Sequence, residues 1–564
     1  MIGFDRSVQF SEPPGPAVGL RAGEGTVART ETPDVEPDVD VVVVGAGMTG
    51  VNQLYLLLEA GFSVQVLERG TGVGGTWFWN RYPGCRFDSE SYSYGYLFSE
   101  ELFDEWVWSE HFAGQPEIEA YVNHVVDRFD LRRHIRFGAT VTAAVWDDDS
   151  ATWLVTTADG APVRCRFLIA ASGALSVPYT PDIPGRDDFA GVAHHTGEWP
   201  AEPVEFRGKR VAIVGTSSSG VQVLPAIVHD AASVTVYQRT ANWCTPLNNR
   251  PITAEEQAEL RADFARLREI LETSPHGFLH EGTDRSGLDD TAEERAAFFE
   301  RVWNSPGFSK LTTNYADMML DPRVNELWCE FIAAKIRSIV HDPVTAEKLV
   351  PTDHRYGQKR PPYVTGYFEA FNEPNVELVD LRDTPWVRVT PDGIETTDGL
   401  RTFDVIVWAT GFDFATGALR RMGVVGRDGV ALVDAWDDGP RTYAGVQAAG
   451  FPNFFFPGGP HAAAGNNPRY NSDQACFVRD VLLAARERGA VVVELDPAAE
   501  ERWTSMVDRM ATNSPFGTDN YYFGSNIPGK VRRMLLNAAG RPKLHKTFAE
   551  ARESGFAPFR MTDG

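Results

Sequence analysis

The 564-residue chain is poor in cysteine, poor in positive charge and without a long apolar run. Its five cysteines, Cys85, Cys165, Cys244, Cys329 and Cys476, are scattered and odd in number, and no two are spaced Cys-x-x-Cys. That pattern argues against a disulfide framework, a paired redox dithiol and a cysteine-built zinc site, so no metal is expected and a reducing cytoplasm fits. Lysine and arginine total 53 against 78 aspartates and glutamates, a net charge of −25. A surface this acidic repels nucleic acid and anionic membrane, and an anionic cofactor would have to be held by local cations. The most apolar stretch, residues 41–60, is interrupted by glycines, Asn52 and Gln53, so it does not read as a membrane span. No secretory leader pattern is visible near residue 1.

What is present is a strand–turn–helix–strand plan near the N-terminus. A valine run at 41–44 leads into Gly45-Ala46-Gly47-Met48-Thr49-Gly50. Leu54, Leu57 and Leu58 follow at helical spacing, and a short strand at 64–67 ends on Glu68. This is the plan of a dinucleotide-binding unit. Gly45 permits the tight turn, Gly47 lets backbone approach a pyrophosphate, Gly50 lets helix pack on strand, and the acid suits a ribose hydroxyl. The exposed N–H groups of the helix N-terminus suit the phosphates.

The plan repeats. Residues 210–214 read as a strand, Gly215-Thr216-Ser217-Ser218-Ser219-Gly220 as a turn, Val221 onward as a helix and 234–237 as the next strand. Gly215 stands as far from Gln238 as Gly45 does from Glu68, so the acidic position of the first unit is Gln238 in the second, with Arg239 beside it. A cation there accommodates a 2′-phosphate, so the pair of motifs predicts an FAD-like nucleotide in the first unit and NADP in the second. Ser217 replaces the central glycine and puts a Cβ in the phosphate's path; a nucleotide-free repeat is the alternative.

The predicted fold is α/β, with two Rossmann-like dinucleotide-binding domains and a helical insertion in the second. Residues 1–36, rich in proline, glycine and acids, read as a disordered tail or an extended arm. Residues 37–178 read as the first part of the FAD domain, including an aromatic segment at 92–108, a helix from Pro116 and short strands at 140–146, 152–157 and 164–170. Residues 179–208 read as a linker, 209–400 as the NADP domain with helices across 250–350, and 401–564 as the remainder of the FAD domain. Within these spans, helices are expected at 255–271, 291–303, 323–340, 472–488 and 497–510, and strands at 376–379 and 404–408.

The linker reads Phe189-Ala-Gly191-Val-Ala-His194-His195-Thr-Gly-Glu-Trp199-Pro200, and an earlier stretch carries Gly75-Thr76-Trp77, Tyr82-Pro83-Gly84 and Asp88. These resemble two fingerprints of the Baeyer–Villiger monooxygenases, FxGxxxHxxxWP and GxWxxxxYPGxxxD. The resemblance extends over about residues 38–540 and includes Gln358-Lys359-Arg360, 409–413 and 524–530. It implies FAD and NADPH on one chain. Hydride reduces the flavin, a C4a-peroxyflavin forms with O2, and its anion attacks a ketone to give an ester or lactone. An N- or S-oxidising flavin monooxygenase is the rival reading.

By the same resemblance Arg360 is the catalytic cation and Asp88 the acid that holds it. An arginine cannot lose its proton and presents several donors, which suits stabilising a peroxide anion in a dry pocket. Read without the family, Arg360 is equally a surface residue before two prolines and Asp88 a helix cap. Arg239, Thr240 and Lys359 match the grip on the 2′-phosphate. Thr49 and Glu68 match adenine-side positions of the FAD, and Thr76, Trp77, Trp79, Asp88, Tyr94 and Val141 match flavin contacts; Phe78 and Arg86 are counted with the same set. Tyr521 stands where many relatives carry tryptophan, on the nicotinamide side. His195 and Trp199 are expected to transmit movement through the linker, the bland alternative being a packed histidine. A weaker resemblance, at 450–470, points to the subgroup acting on large or fused-ring ketones.

Overall fold

A computed structural model describes residues 36–462, 464–512, 520–537 and 539–563. The expected tail or arm at the N-terminus lies outside the described residues apart from Glu36. The valine run forms the strand Val39–Val44. It is central in a sheet and its residues 41–43 are fully buried. A strand covered on both faces needs an unbroken apolar run rather than alternation, which is what this segment has. Its parallel neighbours are Val64–Leu67 and Pro162–Ala170, with Ile135–Arg136 beyond the former and Phe454–Phe455 beyond the latter. In chain order the spatial arrangement is 3-2-1-4-5, a doubly wound sheet whose switch point lies beside Val39–Val44. The first half of Pro162–Ala170 pairs antiparallel with Thr152–Thr157, which pairs with Val141–Asp147, completing the expected meander. The second half of the same edge takes Phe454–Phe455, so residues some 290 positions downstream return to the first sheet.

The second sheet is wholly parallel, in the order Val376–Asp380, Ser233–Gln238, Arg210–Val214, Val405–Trp408, Val192–His195. Its last strand comes from the stretch that reads as linker, so that segment is an edge strand of the sheet as well as a connection. A second meander, Trp386–Thr390, Gly393–Thr396 and Gly399–Thr402, stands where no strand is expected from sequence. The repeat therefore extends beyond the nucleotide motifs.

Between these strands lie the insertion helices. The single helix expected at 255–271 is two, Ala254–Ala262 and Phe264–Thr273, broken at Asp263, where the backbone leaves helical geometry (φ −113°, ψ 23°). Ala292–Asn304 starts at a reciprocal Thr291–Glu294 capping box, and Pro322–Ile339 at Asp321 with proline in its first turn. The aromatic segment forms two short helices, Ser91–Tyr94 and Glu100–Glu105. Among its rings Tyr96, Phe103 and Trp108 are buried. Helix Asn467–Glu487 packs on Met48–Glu59, with Gln53 donating to the Ala475 carbonyl at 3.3 Å.

Candidate active site

The first phosphate turn is shaped by contact. A Cβ on Gly50 would stand 1.9 Å from the Gly45 carbonyl oxygen, so only glycine lets helix Met48–Glu59 begin there. Glu68, 4 % exposed, closes the turn: its Oε2 accepts from the Ala46 N–H and its Oε1 from the Gly70 N–H, both at 2.7 Å. Each oxygen keeps a free lone pair for a ribose hydroxyl. Thr49 accepts from Asn471 Nδ2 at 2.9 Å, tying the turn to the later helix.

One elongated cleft runs from this turn. Gly45, Gly47, Thr49, Glu68, Thr76, Trp77, Trp79, Tyr94 and Val141 all line it. Trp77 Nε1 donates to the Tyr94 hydroxyl at 3.2 Å. The glycine cradle and the helix N-terminus suit the pyrophosphate of a flavin dinucleotide and the aromatic far end suits its ring, so the residues present fit FAD. Gly50 packs behind the cleft. Phe78 and Arg86 are not on its walls: the Phe78 ring covers Gly70 and Gly72 beneath the Arg81 guanidinium, and Arg86 pairs with Glu110 at 2.8 Å.

Four lining groups were not singled out from sequence. Arg69 lies 4.1 Å over the Trp79 ring and pairs at 3.2 Å with Glu198, itself on the cleft wall. Asn471 and the exposed Arg421 also line it. The charge of Arg69 beside Glu68 was the available signal; Asn471 and Arg421 reach the cleft only through the return of residues 414–487, which no local pattern announces.

The Tyr82-Pro83-Gly84 fingerprint is a dock for the second unit. A Cβ on Gly84 would stand 2.4 Å from the Gln222 carbonyl oxygen, in helix Ser218–Ile227. The Gln222 side chain accepts from the Tyr82 hydroxyl at 2.8 Å and donates to the Arg86 carbonyl at 3.0 Å. The turn ahead of that helix repeats the first: a Cβ on Gly220 would stand 2.0 Å from the Gly215 carbonyl oxygen. Ser217 is exposed, and Thr216 donates to the Thr240 carbonyl at 2.9 Å. Ser218, Ser219 and Val221 begin the helix. Gln238 is fully buried and donates to the Lys348 carbonyl at 2.7 Å, so it turns away from the nucleotide face. Arg239 beside it is exposed, with no ion-pair partner among the described residues. Lys359 pairs with Asp353 at 3.2 Å.

Asp88 and Arg360 meet where the two units face each other. Arg360 Nη2 donates to both Asp88 oxygens at 2.8 Å; its Nη1 lies 3.4 Å from Ser218 Oγ, and the face of Phe308 is 5.0 Å from its Cζ. The side chains are 25 % and 16 % exposed, so the cation is largely screened from water but reachable. Burial opposes its charge most strongly, yet the Asp88 carboxylate and the Tyr521 and Tyr522 phenols together outweigh burial and raise the guanidinium further above its ordinary value. Neither bland reading of the pair survives: Arg360 is not a surface residue, and Asp88 caps no helix. Tyr521 stands against Phe414, rings 5.2 Å apart, and burial pushes its phenol up. Lys530, 6 % exposed, anchors this segment on Asp413 at 2.5 Å and on the Phe414 carbonyl at 2.8 Å.

In the linker, the Gly197 N–H donates to His195 Nδ1 at 2.9 Å, and burial lowers the imidazole to about 4. A ring that is neutral at pH 7 and held by a backbone donor is suited to packing rather than proton transfer. The Trp199 N–H donates to the Trp79 carbonyl at 3.0 Å, joining the fingerprint to the cleft wall.

Two dinucleotide cradles flanking a carboxylate-held arginine define an oxidoreductase of the flavin and pyridine-nucleotide kind. Residues 42–263 match the pyridine nucleotide-disulphide oxidoreductase family. The chain is 41 % identical over 537 residues to the 2-oxo-Delta(3)-4,5,5-trimethylcyclopentenylacetyl-CoA monooxygenase of Pseudomonas putida, covering 93 % of this chain and 98 % of the relative. It is 36 % identical to a Baeyer–Villiger monooxygenase of Pseudooceanicola batsensis over 93 % and 96 % of the two chains. A crystal structure of OTEMO in complex with FAD and NADP superposes with a TM-score of 0.90 at 41 % identity, over 93 % of this chain and all of that one. The chain belongs to the Baeyer–Villiger monooxygenase family.

Proposed function

We propose that the chain inserts one atom of O2 next to the carbonyl of a bulky cyclic ketone, giving a lactone, with FAD as bound cofactor and NADPH as reductant. The balance is ketone + O2 + NADPH + H⁺ giving lactone + water + NADP⁺. FAD, reduced by NADPH, supplies the activated oxygen. Gly45, Gly47, Gly50 and the helix behind them hold its pyrophosphate, Glu68 its ribose, and Trp77, Trp79 and Tyr94 flank its ring. The Gly215–Gly220 turn holds the second pyrophosphate, and Arg239, Thr240 and Lys359 the 2′-phosphate, Lys359 exchanging Asp353 for it. Arg360 holds negative charge on the oxygen nucleophile and on the tetrahedral oxyanion, and Asp88 fixes its direction. In domain terms, 37–178 and the residues beyond about 413 form the FAD part, and 192–195 with 209–408 the NADP part, because Val192–His195 and Val405–Trp408 are both strands of the second sheet and the boundary expected at 401 falls too early. Five unpaired cysteines fit a cytoplasmic setting.

The observation that carries this reading is the two-oxygen grip of Asp88 on Arg360 at the meeting of the two cradles. An N- or S-oxidising enzyme uses the protonated oxygen donor and has less need of a fixed cation there. The experiment is incubation with NADPH, 18O2 and a size series of cyclic ketones. A lactone heavier than its ketone by one labelled oxygen, formed in parallel with NADPH consumption, supports the proposal. Hydrogen peroxide as the only product across the series, or oxidation confined to amines and sulfides, overturns it.

A further inference from the structure

We propose that the buried pair Glu90–His280 is a positioning element for Arg360, acting through Phe278 and Phe308; this rests on the role given to Arg360 above. The contacts form one chain. Glu90 follows Asp88 by two residues and is 3 % exposed. Its Oε1 meets His280 Nε2 at 2.5 Å, and its Oε2 has no partner among the described residues. His280 Nδ1 lies 2.9 Å from Thr312 Oγ1, so both ring nitrogens are engaged. The imidazole stacks on Phe278, centroids 5.2 Å apart and planes within 10°. Phe278 stacks on Phe308 at 5.2 Å and 26°, and Phe308 presents its face to the Arg360 guanidinium.

The geometry supplies what Asp88 leaves undone. Asp88 grips Arg360 through one nitrogen, Nη2, and a grip at a single nitrogen fixes a position more firmly than it fixes the plane of the guanidinium. The aromatic face against the cation sets that plane together with the longer contacts of Nη1, to Ser218 Oγ at 3.4 Å and the Pro361 carbonyl at 3.5 Å. Phe308 can do so only if it is itself held, and the far end of its stack is a histidine fixed at both nitrogens. The same turn of the insertion is pinned at its other end. Gly307 passes the Asp88 carbonyl so closely that a Cβ there would stand 2.8 Å from its oxygen. The insertion thus meets the 88–90 stretch twice, at Asp88 through Gly307 and at Glu90 through His280. A buried carboxylate keeps its charge at a cost unless paired, and the pair here joins two segments of chain far apart in sequence.

The test is His280→Gln, whose amide still donates to Glu90 but which has no ring to stack on Phe278, compared with Phe308→Leu and the double variant. FAD content, melting temperature and the anaerobic rate of flavin reduction by NADPH check that fold and hydride transfer persist. The deciding quantity is the fraction of NADPH recovered as oxygenated product rather than hydrogen peroxide. In each single variant that fraction is expected to fall about tenfold, the scale of a small misplacement of a charged group, with flavin reduction within about twofold. The double variant is expected to be no worse than either single one. Coupling at the wild-type level in His280→Gln, or losses that add independently in the double variant, overturns the proposal. If the wild-type protein itself oxygenates no ketone, the failure lies with the function proposed above and not with this pair.

Discussion

Alanine at Gly84 would push the second unit off the first without replacing a residue of either phosphate cradle. The residue has φ +79°, and its new Cβ would stand 2.4 Å from the Gln222 carbonyl oxygen and 3.1 Å from the Ala226 Cβ. Gln222 contributes backbone, which cannot rotate away, so helix Ser218–Ile227 must withdraw by about 1 Å to restore ordinary contact. The left-handed backbone adds about 1–2 kcal/mol of its own. Gly208→Ala isolates that second contribution: φ there is +69° and nothing lies within 4 Å of the added carbon. The displaced helix carries Ser218, beside Arg360, and the N-terminal amides proposed to hold the NADP pyrophosphate. A misplacement of about 1 Å at such a site costs up to about a hundredfold in rate. Melting curves, FAD content, the KM for NADPH and the rate of flavin reduction would be measured for both variants. Gly208→Ala is expected to melt earlier and reduce normally. Gly84→Ala is expected to melt earlier still, keep FAD, and reduce its flavin about ten- to a hundredfold more slowly. A Gly84→Ala protein that handles NADPH as well as Gly208→Ala would show that the fingerprint turn does not set the spacing of the units.

Other changes separate the remaining contributions. Arg239→Ala should raise the KM for NADPH about tenfold or more and leave that for NADH almost unchanged, since only the former carries the 2′-phosphate, an ionic contact worth about 1.5–3 kcal/mol. Glu68→Ala strips acceptors from the Ala46 and Gly70 amides, about 1–3 kcal/mol each, and should release FAD on gel filtration under conditions where the wild-type protein retains it. Lys310 is fully buried, and burial lowers its ammonium to about 7. Its folded pKa lies below the unfolded value, so the unfolded chain binds more protons between about pH 7 and 10.5 and the penalty for Lys310 is lifted as pH rises through that window. Lys310→Met should therefore stabilise the protein by about 1 kcal/mol or more near neutral pH, with the gain shrinking towards pH 10 in melting curves. The Ser305 carbonyl that Lys310 satisfies keeps the Asn248 amide at 2.9 Å, so the variant leaves no orphaned acceptor.

Both nucleotide turns, the Glu68 and Arg239 positions and most of the long helices were legible in sequence because each is local. A valine run, a glycine spacing or an apolar stripe at helical spacing is complete within about twenty residues. What escaped depends on distant partners. Residues 386–402 form a meander whose short strands alternate too weakly to stand out, and their place is set by the sheet beside them. Val192–His195 pairs with Val405–Trp408, a partner about 210 residues away, so from sequence it read only as connection. The helical pattern at 255–271 carried no signal for the break at Asp263. The fingerprint motifs matched by resemblance before their physical purpose was visible: Gly84 is constrained by Gln222, and Asp88 by Arg360, 272 positions later. Arg86 is the converse: it lies inside a fingerprint, but its side chain is committed to Glu110.

In the proposed reaction a fixed guanidinium keeps the oxygen nucleophile negatively charged until it meets a carbonyl carbon. At an effective dielectric near 20, a cation about 4 Å away is worth about 4 kcal/mol, or roughly a thousandfold in rate. The direct measurement is the yield of 18O-labelled lactone per NADPH consumed by Arg360→Ala loaded with FAD. Flavin reduction by NADPH should persist while labelled lactone falls about a thousandfold and hydrogen peroxide replaces it; lactone formation within about tenfold of the wild-type protein would contradict the account.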